Sequence, residues 1–147
     1  MPDWRLRPAT ESDREFLFRL HCTAMRESVE ALWGWDEELQ RQIFDERFDG
    51  TQFQVIQVDG KDAGVLDVEE RDDAIFLKLI ELVPANQGQG VGTSVIRALQ
   101  ARGKPVTLRV LTTNPRAAAL YRRLGFRVTE QTPERLFMRS TASGASS

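Results

Sequence analysis

Apolar and polar positions along this chain follow two periods, one close to 3.6 residues and one of 2. Residues 4–8 read as a short first strand. Thr10 with Asp13 three positions later is an acidic variant of the capping box, and it predicts a helix that runs to about residue 28. Phe16, Leu17, Leu20, Ala24 and Met25 form its apolar stripe, with His21, Arg26 and Glu30 on or beside the other face. The run Trp33, Gly34, Trp35, Asp36, Glu37 breaks the pattern. A second helix is expected from near Asp36, striped by Leu39, Ile43 and Phe44 and ended by Asp49 and Gly50. Residues 53–56 and 63–68 read as strands joined by the hairpin signal Asp59-Gly60. After a turn at 71–73, residues 74–83 are almost all apolar, as in a strand covered on both faces.

Further along, Val91, Val95, Ile96 and Leu99 stripe a third helix, which Gly103 and Pro105 terminate. Val106, Leu108 and Val110 alternate as a strand. A fourth helix opens near Asn114-Pro115, carries Ala118, Leu120, Tyr121 and Leu124, and closes at Gly125. Two last strands are expected at 126–129 and 136–138. The order β-α-α-β-β-β-α-β-α-β-β predicts an α/β fold with a mixed sheet covered by helices.

Composition narrows the function without naming it. A length of 147 residues suits one domain, expected over 1–140, and the small polar stretch that begins at Ser140 predicts a disordered tail over 141–147. The net charge of −2 gives no electrostatic case for nucleic acid. One cysteine, Cys22, allows no disulfide within the chain and fits a reducing, cytoplasmic compartment. The first residues lack the apolar core of a signal peptide, and no apolar run approaches the ~20 residues that cross a bilayer, so no membrane partner is expected. His21 beside Cys22 makes no zinc-like cluster, and no metal is expected.

The most informative stretch is Leu82, Val83, Pro84, Ala85, Asn86, Gln87, Gly88, Gln89, Gly90, Val91, Gly92, Thr93. It reads as the end of a strand, a glycine-rich turn and the opening of a helix. Alternating glycines let a backbone approach a ligand closely, and a helix N-terminus offers free N–H groups and partial positive charge. The combination suits a phosphate or pyrophosphate. A P-loop is excluded because no Lys follows Gly90 or Gly92. A dinucleotide fingerprint is excluded because position 93 is Thr, and Leu108 and Arg109 stand where its acidic ribose ligand should lie.

What fits is Q-x-x-G-x-G, with Gln87, Gly90 and Gly92. It resembles the acetyl-CoA loop of the GNAT N-acetyltransferase superfamily. A second stretch supports the likeness: Asn114, Ala117, Leu120, Tyr121, Gly125 and Phe126 match N-x-x-A-x-x-L-Y-x-x-x-G-F, one strand after the glycine loop. The resemblance spans residues 4–139. It implies the GNAT fold, a strongly twisted mixed sheet with helices on both faces. It also implies acetyl-CoA as cofactor and direct transfer to a primary amine in a ternary complex. The acceptor is a small amine or a peptide amine, so that a protein N-terminal or lysine acetyltransferase is an alternative. A non-catalytic CoA-binding or sensing module is another. Either a monomer or a homodimer is compatible.

The resemblance also distributes roles. Backbone groups of Leu82 and Val83 pair with the pantetheine arm, and Gln87, Gly88, Gln89, Gly90, Val91, Gly92 and Thr93 supply N–H groups to the pyrophosphate. Arg122 and Arg123 either reach CoA phosphates or lie solvated. Tyr121 is the proton donor to the leaving thiolate, or else an amphipathic core tyrosine. Asn114 contacts pantetheine, positions a water, or simply caps its helix. Glu81 is the candidate general base, directly or through water, as a charged residue in an apolar strand. Its alternative is a sheet margin or an arginine partner. One family variant carries a Glu on the next strand, where this chain has Arg109. The acceptor site is expected at Trp33, Trp35, Asp36 and Glu37, where aromatic faces and carboxylates can hold an ammonium. The same run also serves as a helix staple with Asp36 as N-cap. His21 reads as a surface or core histidine sooner than a base.

Overall fold

The computed structural model describes residues 2–141. It contains β1 (Trp4–Pro8), α1 (Arg14–Trp33), α2 (Glu37–Gly50), β2 (Gln54–Val58), β3 (Lys61–Glu70) and β4 (Ile75–Leu82). These are followed by α3 (Val91–Gln100), β5 (Val106–Leu111), α4 (Pro115–Arg123), β6 (Arg127–Gln131) and β7 (Arg135–Arg139). The strands form a mixed seven-stranded sheet in the order β1-β2-β3-β4-β5-β7-β6. The expected element order is found. The tail predicted over 141–147 lies, from residue 142 on, outside the described residues. Ser140 itself belongs to the folded part: it is buried, and its N–H donates to Val106 O at 2.9 Å.

Two compact units make up the chain. The first holds the chain up to Asp67 together with Leu79–Gly92, and the second holds Val68–Lys78 together with the chain from Thr93 on.

In the first unit, β1 and β2 pair antiparallel, and β2 turns into β3 through Asp59 and Gly60 at φ +50° and +82°. That is the left-handed geometry a two-residue hairpin needs. Leu17, Phe18 and Leu20 of α1, Phe44 of α2, and Phe53, Val55 and Val65 form the core. Phe44 is its centre, meeting Phe18 edge-on at 5.5 Å and Phe53 at 5.9 Å. Such aromatic pairs add roughly 0.5–1.5 kcal/mol each beyond burial. The first helix departs from expectation by running to Trp33 instead of about residue 28. Ser28 and Val29 are both buried, so the inward stripe continues through the polar run that seemed to end it, and Gly34 at φ +78° stops the helix.

The capping box forms, with Thr10 N–H donating to Asp13 Oδ2 at 2.8 Å. Arg7 adds a fork, donating to both Asp13 oxygens at 2.9 and 2.8 Å. The Arg7 guanidinium, and after it the Thr10 N–H, outweigh burial and hold the Asp13 carboxyl down at about 2. A carboxyl depressed in the folded state stabilises the fold above its unfolded value and loses that contribution as pH falls through the folded one. Asp13→Asn should therefore cost about 1–2 kcal/mol above roughly pH 5, and the gap to wild type should close near about pH 2. Urea unfolding across a pH series measures this; a pH-independent gap would mean that the Asp13 charge contributes nothing.

In the second unit, β4 pairs with β5 in parallel only at Ile75↔Val106 and Phe76↔Thr107. β5 is bordered on its other side by antiparallel β7, and β7 by β6, which is exposed throughout. Val95, Ile96 and Leu99 of α3 are buried, as are Ala118 of α4, Leu124, Phe126, Leu136 and Met138. Gln100, also buried, donates its amide N–H to Leu124 O at 2.9 Å, which ties the end of α3 to the end of α4.

Candidate active site

The glycine loop has the geometry that its sequence predicts. Gly88 and Gly90 sit at φ +76° and +85°, a region that side-chain-bearing residues rarely enter. Residues 87–90 are exposed. The loop opens straight into α3, whose first turn contains no acidic residue. The first N–H groups of a helix have no acceptor within it, so those of Val91, Gly92 and Thr93 are available to an anion. A β-carbon on Gly92 would meet only Leu82 Cδ1, at 3.9 Å. The cradle therefore fits a pyrophosphate. Gln87 braces it, donating its side-chain N–H to Leu82 O at 3.0 Å.

At the end of β4, Val83 N–H donates to Ala63 O at 2.8 Å and Val83 O accepts from Asn86 N–H at 2.9 Å. Pantetheine amides would therefore meet the second lone pairs of the Leu82 and Val83 carbonyls, and the Val83 N–H is already engaged.

Glu81, one residue earlier, is buried. The arginine partner considered for it is absent among the described residues; its partner is His21, whose Nδ1 lies 2.9 Å from Glu81 Oε2. The other carboxylate oxygen, Oε1, is sealed and without a partner. His21 was expected on or beside the polar face of its helix, but it points inward, beside the Phe44 ring at 6.2 Å. A signal for this exists in the sequence. Leu17, His21 and Ser28 stand at i, i+4 and i+11, which is one helical stripe, and all three are buried. Gly64 is a second residue without an assigned role. A β-carbon there would run into the Glu81 carbonyl oxygen and the Leu82 side chain, so only glycine lets the chain pass so close to Glu81.

Around the expected acceptor residues, Trp33 is 53% exposed. Trp35 is half-buried; its ring faces the Arg26 guanidinium at 5.6 Å, and its Nε1–H is sealed without an acceptor. Asp36 caps α2, accepting from Leu39 N–H at 3.1 Å. Glu37 and Glu38 are exposed in the first turn of that helix. Glu37 is near enough to Cys22 to act on it. Burial pushes the Cys22 thiol up, the Glu37 and Glu81 carboxylates push it further, and Arg26 and Arg41 oppose them. An open depression of about 520 Å³, lined by Thr23, Arg26, Glu27, Glu30 and Ala31, lies along α1. It contains none of the expected site residues.

In the second unit, Asn114 caps α4, its Oδ1 accepting from Ala117 N–H at 3.3 Å, with Pro115 at the first helical position. Tyr121 is half-buried, with its ring against Phe126 at 5.7 Å. Arg122 and Arg123 are exposed. Arg109, where a family variant has its glutamate, stacks over Phe76 at 5.7 Å. Among the described residues no cluster of three or more potential metal ligands occurs, and no helix is long and apolar enough to cross a membrane.

The comparisons with known proteins agree with this fold. Residues 49–128 match the model of the acetyltransferase (GNAT) domain. PaiA N-acetyltransferase from Thermoplasma acidophilum, solved in complex with coenzyme A, superposes with a TM-score of 0.69 at 16% identity, covering 95% of this chain and 99% of that one. The spermidine/spermine N-acetyltransferase SpeG from Vibrio cholerae gives 0.65 at 16%, with 96% and 95% covered. Naa50 from Arabidopsis thaliana, in complex with the bisubstrate analogue CoA-Ac-MVNAL, gives 0.62 at 11%, with 94% and 98% covered. No curated protein matches the chain in sequence. The chain belongs to the GNAT acetyltransferase family, and its cofactor is the family's, acetyl-CoA.

Proposed function

We propose that this protein is an N-acetyltransferase that moves the acetyl group of acetyl-CoA to a primary amine by direct attack in a ternary complex. The observation that carries the reading is the exposed glycine cradle at the opening of α3, with two left-handed glycines and no acid in the first helical turn. When bound, acetyl-CoA supplies an activated acyl group. Residues 87–93 hold its pyrophosphate through backbone N–H groups, and Leu82 and Val83 take up its pantetheine arm. Asn114 supports that arm from the start of α4, and Tyr121 gives a proton to the departing sulfur. Glu81 serves the base step, directly or through a group that it holds.

The acceptor lies at Trp33, Trp35, Asp36 and Glu37. An ammonium against an aromatic face and a carboxylate gains roughly 1–2 kcal/mol from the two together, so losing either group should raise the amine KM roughly two- to fivefold. Trp35→Ala and Asp36→Asn test this with acetyl-CoA affinity as the control. Asn remains a good N-cap, so Asp36→Asn removes the charge and keeps the helix start. If both variants changed only the melting temperature, the run would be a staple and the acceptor site would lie elsewhere.

The domain spans 1–140 and works in the cytoplasm, in keeping with a single cysteine and near-neutral charge. The reading is tested by thiol release from acetyl-CoA with a panel that includes spermidine, free amino acids and short peptides with free N-termini. Turnover of peptides alone would favour a protein acetyltransferase. Acetyl-CoA binding with no thiol release from any amine would favour a binding module.

A further inference from the structure

Glu81 is poorly placed to collect a proton unaided. Its side chain is 4% exposed, Oε2 is held by His21, and Oε1 is sealed. His21 provides an outlet. Its side chain retains 10% exposure, Nδ1 faces Glu81, and Nε2 has no partner among the described residues and, unlike Glu81 Oε1, is not sealed. A carboxylate on one imidazole nitrogen fixes the tautomer and leaves the other nitrogen as a proton acceptor.

We propose that His21 Nε2 is the proton acceptor of the reaction and that Glu81 is its positioning carboxylate. The inference rests on the N-acetyltransferase reading above and identifies the group through which Glu81 acts. In the resting state neutral His21 carries its proton on Nδ1 and donates it to Glu81 Oε2. Once the bound ammonium has given a first proton to water, the amine nitrogen bonds to the acyl carbon and the carbon–sulfur bond breaks; Nε2 takes the second proton from that nitrogen, and the departing thiolate takes its proton from Tyr121, which water reprotonates. The resulting imidazolium stands against the Glu81 carboxylate, and Nε2 then releases the proton to water. His21 gains and loses one proton, and no electrons are transferred beyond the bonds that form and break. Cys22, the neighbour of His21 on α1, lies within reach of the charges of Glu81 on β4, Arg26 on α1, and Glu37 and Arg41 on α2.

His21 is the only histidine in the chain, so it can be observed directly. In protein labelled with ¹⁵N-histidine, the neutral ring should show Nδ1 protonated and Nε2 bare. The opposite tautomer would overturn the proposal. Kinetics supply the second arm, with thiol release followed across pH for whichever of spermidine, amino acids or short peptides is turned over. His21→Asn keeps a donor facing Glu81 and removes the acceptor at Nε2. It should lower kcat about 10²-fold or more, flatten the low-pH limb of the profile and leave acetyl-CoA affinity unchanged. Glu81→Gln should lower kcat with the amine KM and acetyl-CoA affinity unchanged, a split that a merely structural role would not produce. If His21→Asn matched wild type in kcat and pH profile, His21 would only orient Glu81 and the inference would fail alone. If wild-type protein released no thiol with any amine, the N-acetyltransferase reading would fail and the inference with it.

Discussion

Gly92→Asp should remove most acetyl-CoA binding and leave the protein folded. Position 92 lies in the first turn of α3 with ordinary helical backbone, and a β-carbon there meets only Leu82 Cδ1 at 3.9 Å. The side chain therefore fits, and an acid in a first helical turn favours the helix dipole, so stability should hold or rise slightly. The same carboxylate would stand where the pyrophosphate needs positive potential and free N–H groups. Like charges about 4–5 Å apart at a protein surface repel by roughly 3–4 kcal/mol, which lowers affinity on the order of 10²–10³-fold. Gly92→Ala separates charge from bulk and should bind nearly as wild type does. Gly90 is the less informative position, because at φ +85° any side chain also strains the turn. Calorimetry with acetyl-CoA, with a thermal melt of each variant, measures both halves. Undiminished affinity in Gly92→Asp would remove the cradle from the cofactor site.

The backbone geometry of the glycine loop was legible because it is local. Gln87, Gly90 and Gly92 act within a few residues of one another, and positive φ is a property that a sequence advertises through glycine. The same holds for the hairpin at Asp59-Gly60 and for the caps at Asp36 and Asn114, where each signal and its partner are no more than three residues apart. What the sequence conceals depends on distant partners. His21 and Glu81 are 60 positions apart, and no periodicity in either segment says that they meet. The stripe that carries His21 inward also contains Ser28, so a reading that counts apolar residues alone turns both outward and ends the helix early. Gly64 is hidden for the same reason, since its need for a bare α-carbon comes from the Glu81 backbone. The place of β7 between β5 and β6 follows from antiparallel pairing at both of its edges, which the order of elements along the chain does not encode.

Tyr121→Phe is expected to lower turnover with little change in acetyl-CoA affinity. The ring of Tyr121 is half-buried at the last turn of α4 and packs edge-on against Phe126 at 5.7 Å, a contact that Phe preserves. Its backbone is equally fixed: Tyr121 O accepts from Leu124 N–H and Phe126 N–H, both at 3.0 Å, so the helix end closes the same way in the variant. The substitution removes one hydroxyl and its proton and leaves the packing alone. If that proton goes to the departing sulfur, its loss should cost about 10²–10⁴-fold in kcat, the usual worth of a general acid. Replacing the amine with a more reactive one should not restore the rate, since the deficit lies in departure of the thiol and not in attack. A Tyr121→Phe enzyme with wild-type kcat, measured where single-turnover kinetics show chemistry to be slow, would return Tyr121 to the status of a packing residue. The proton for the sulfur would then come from water.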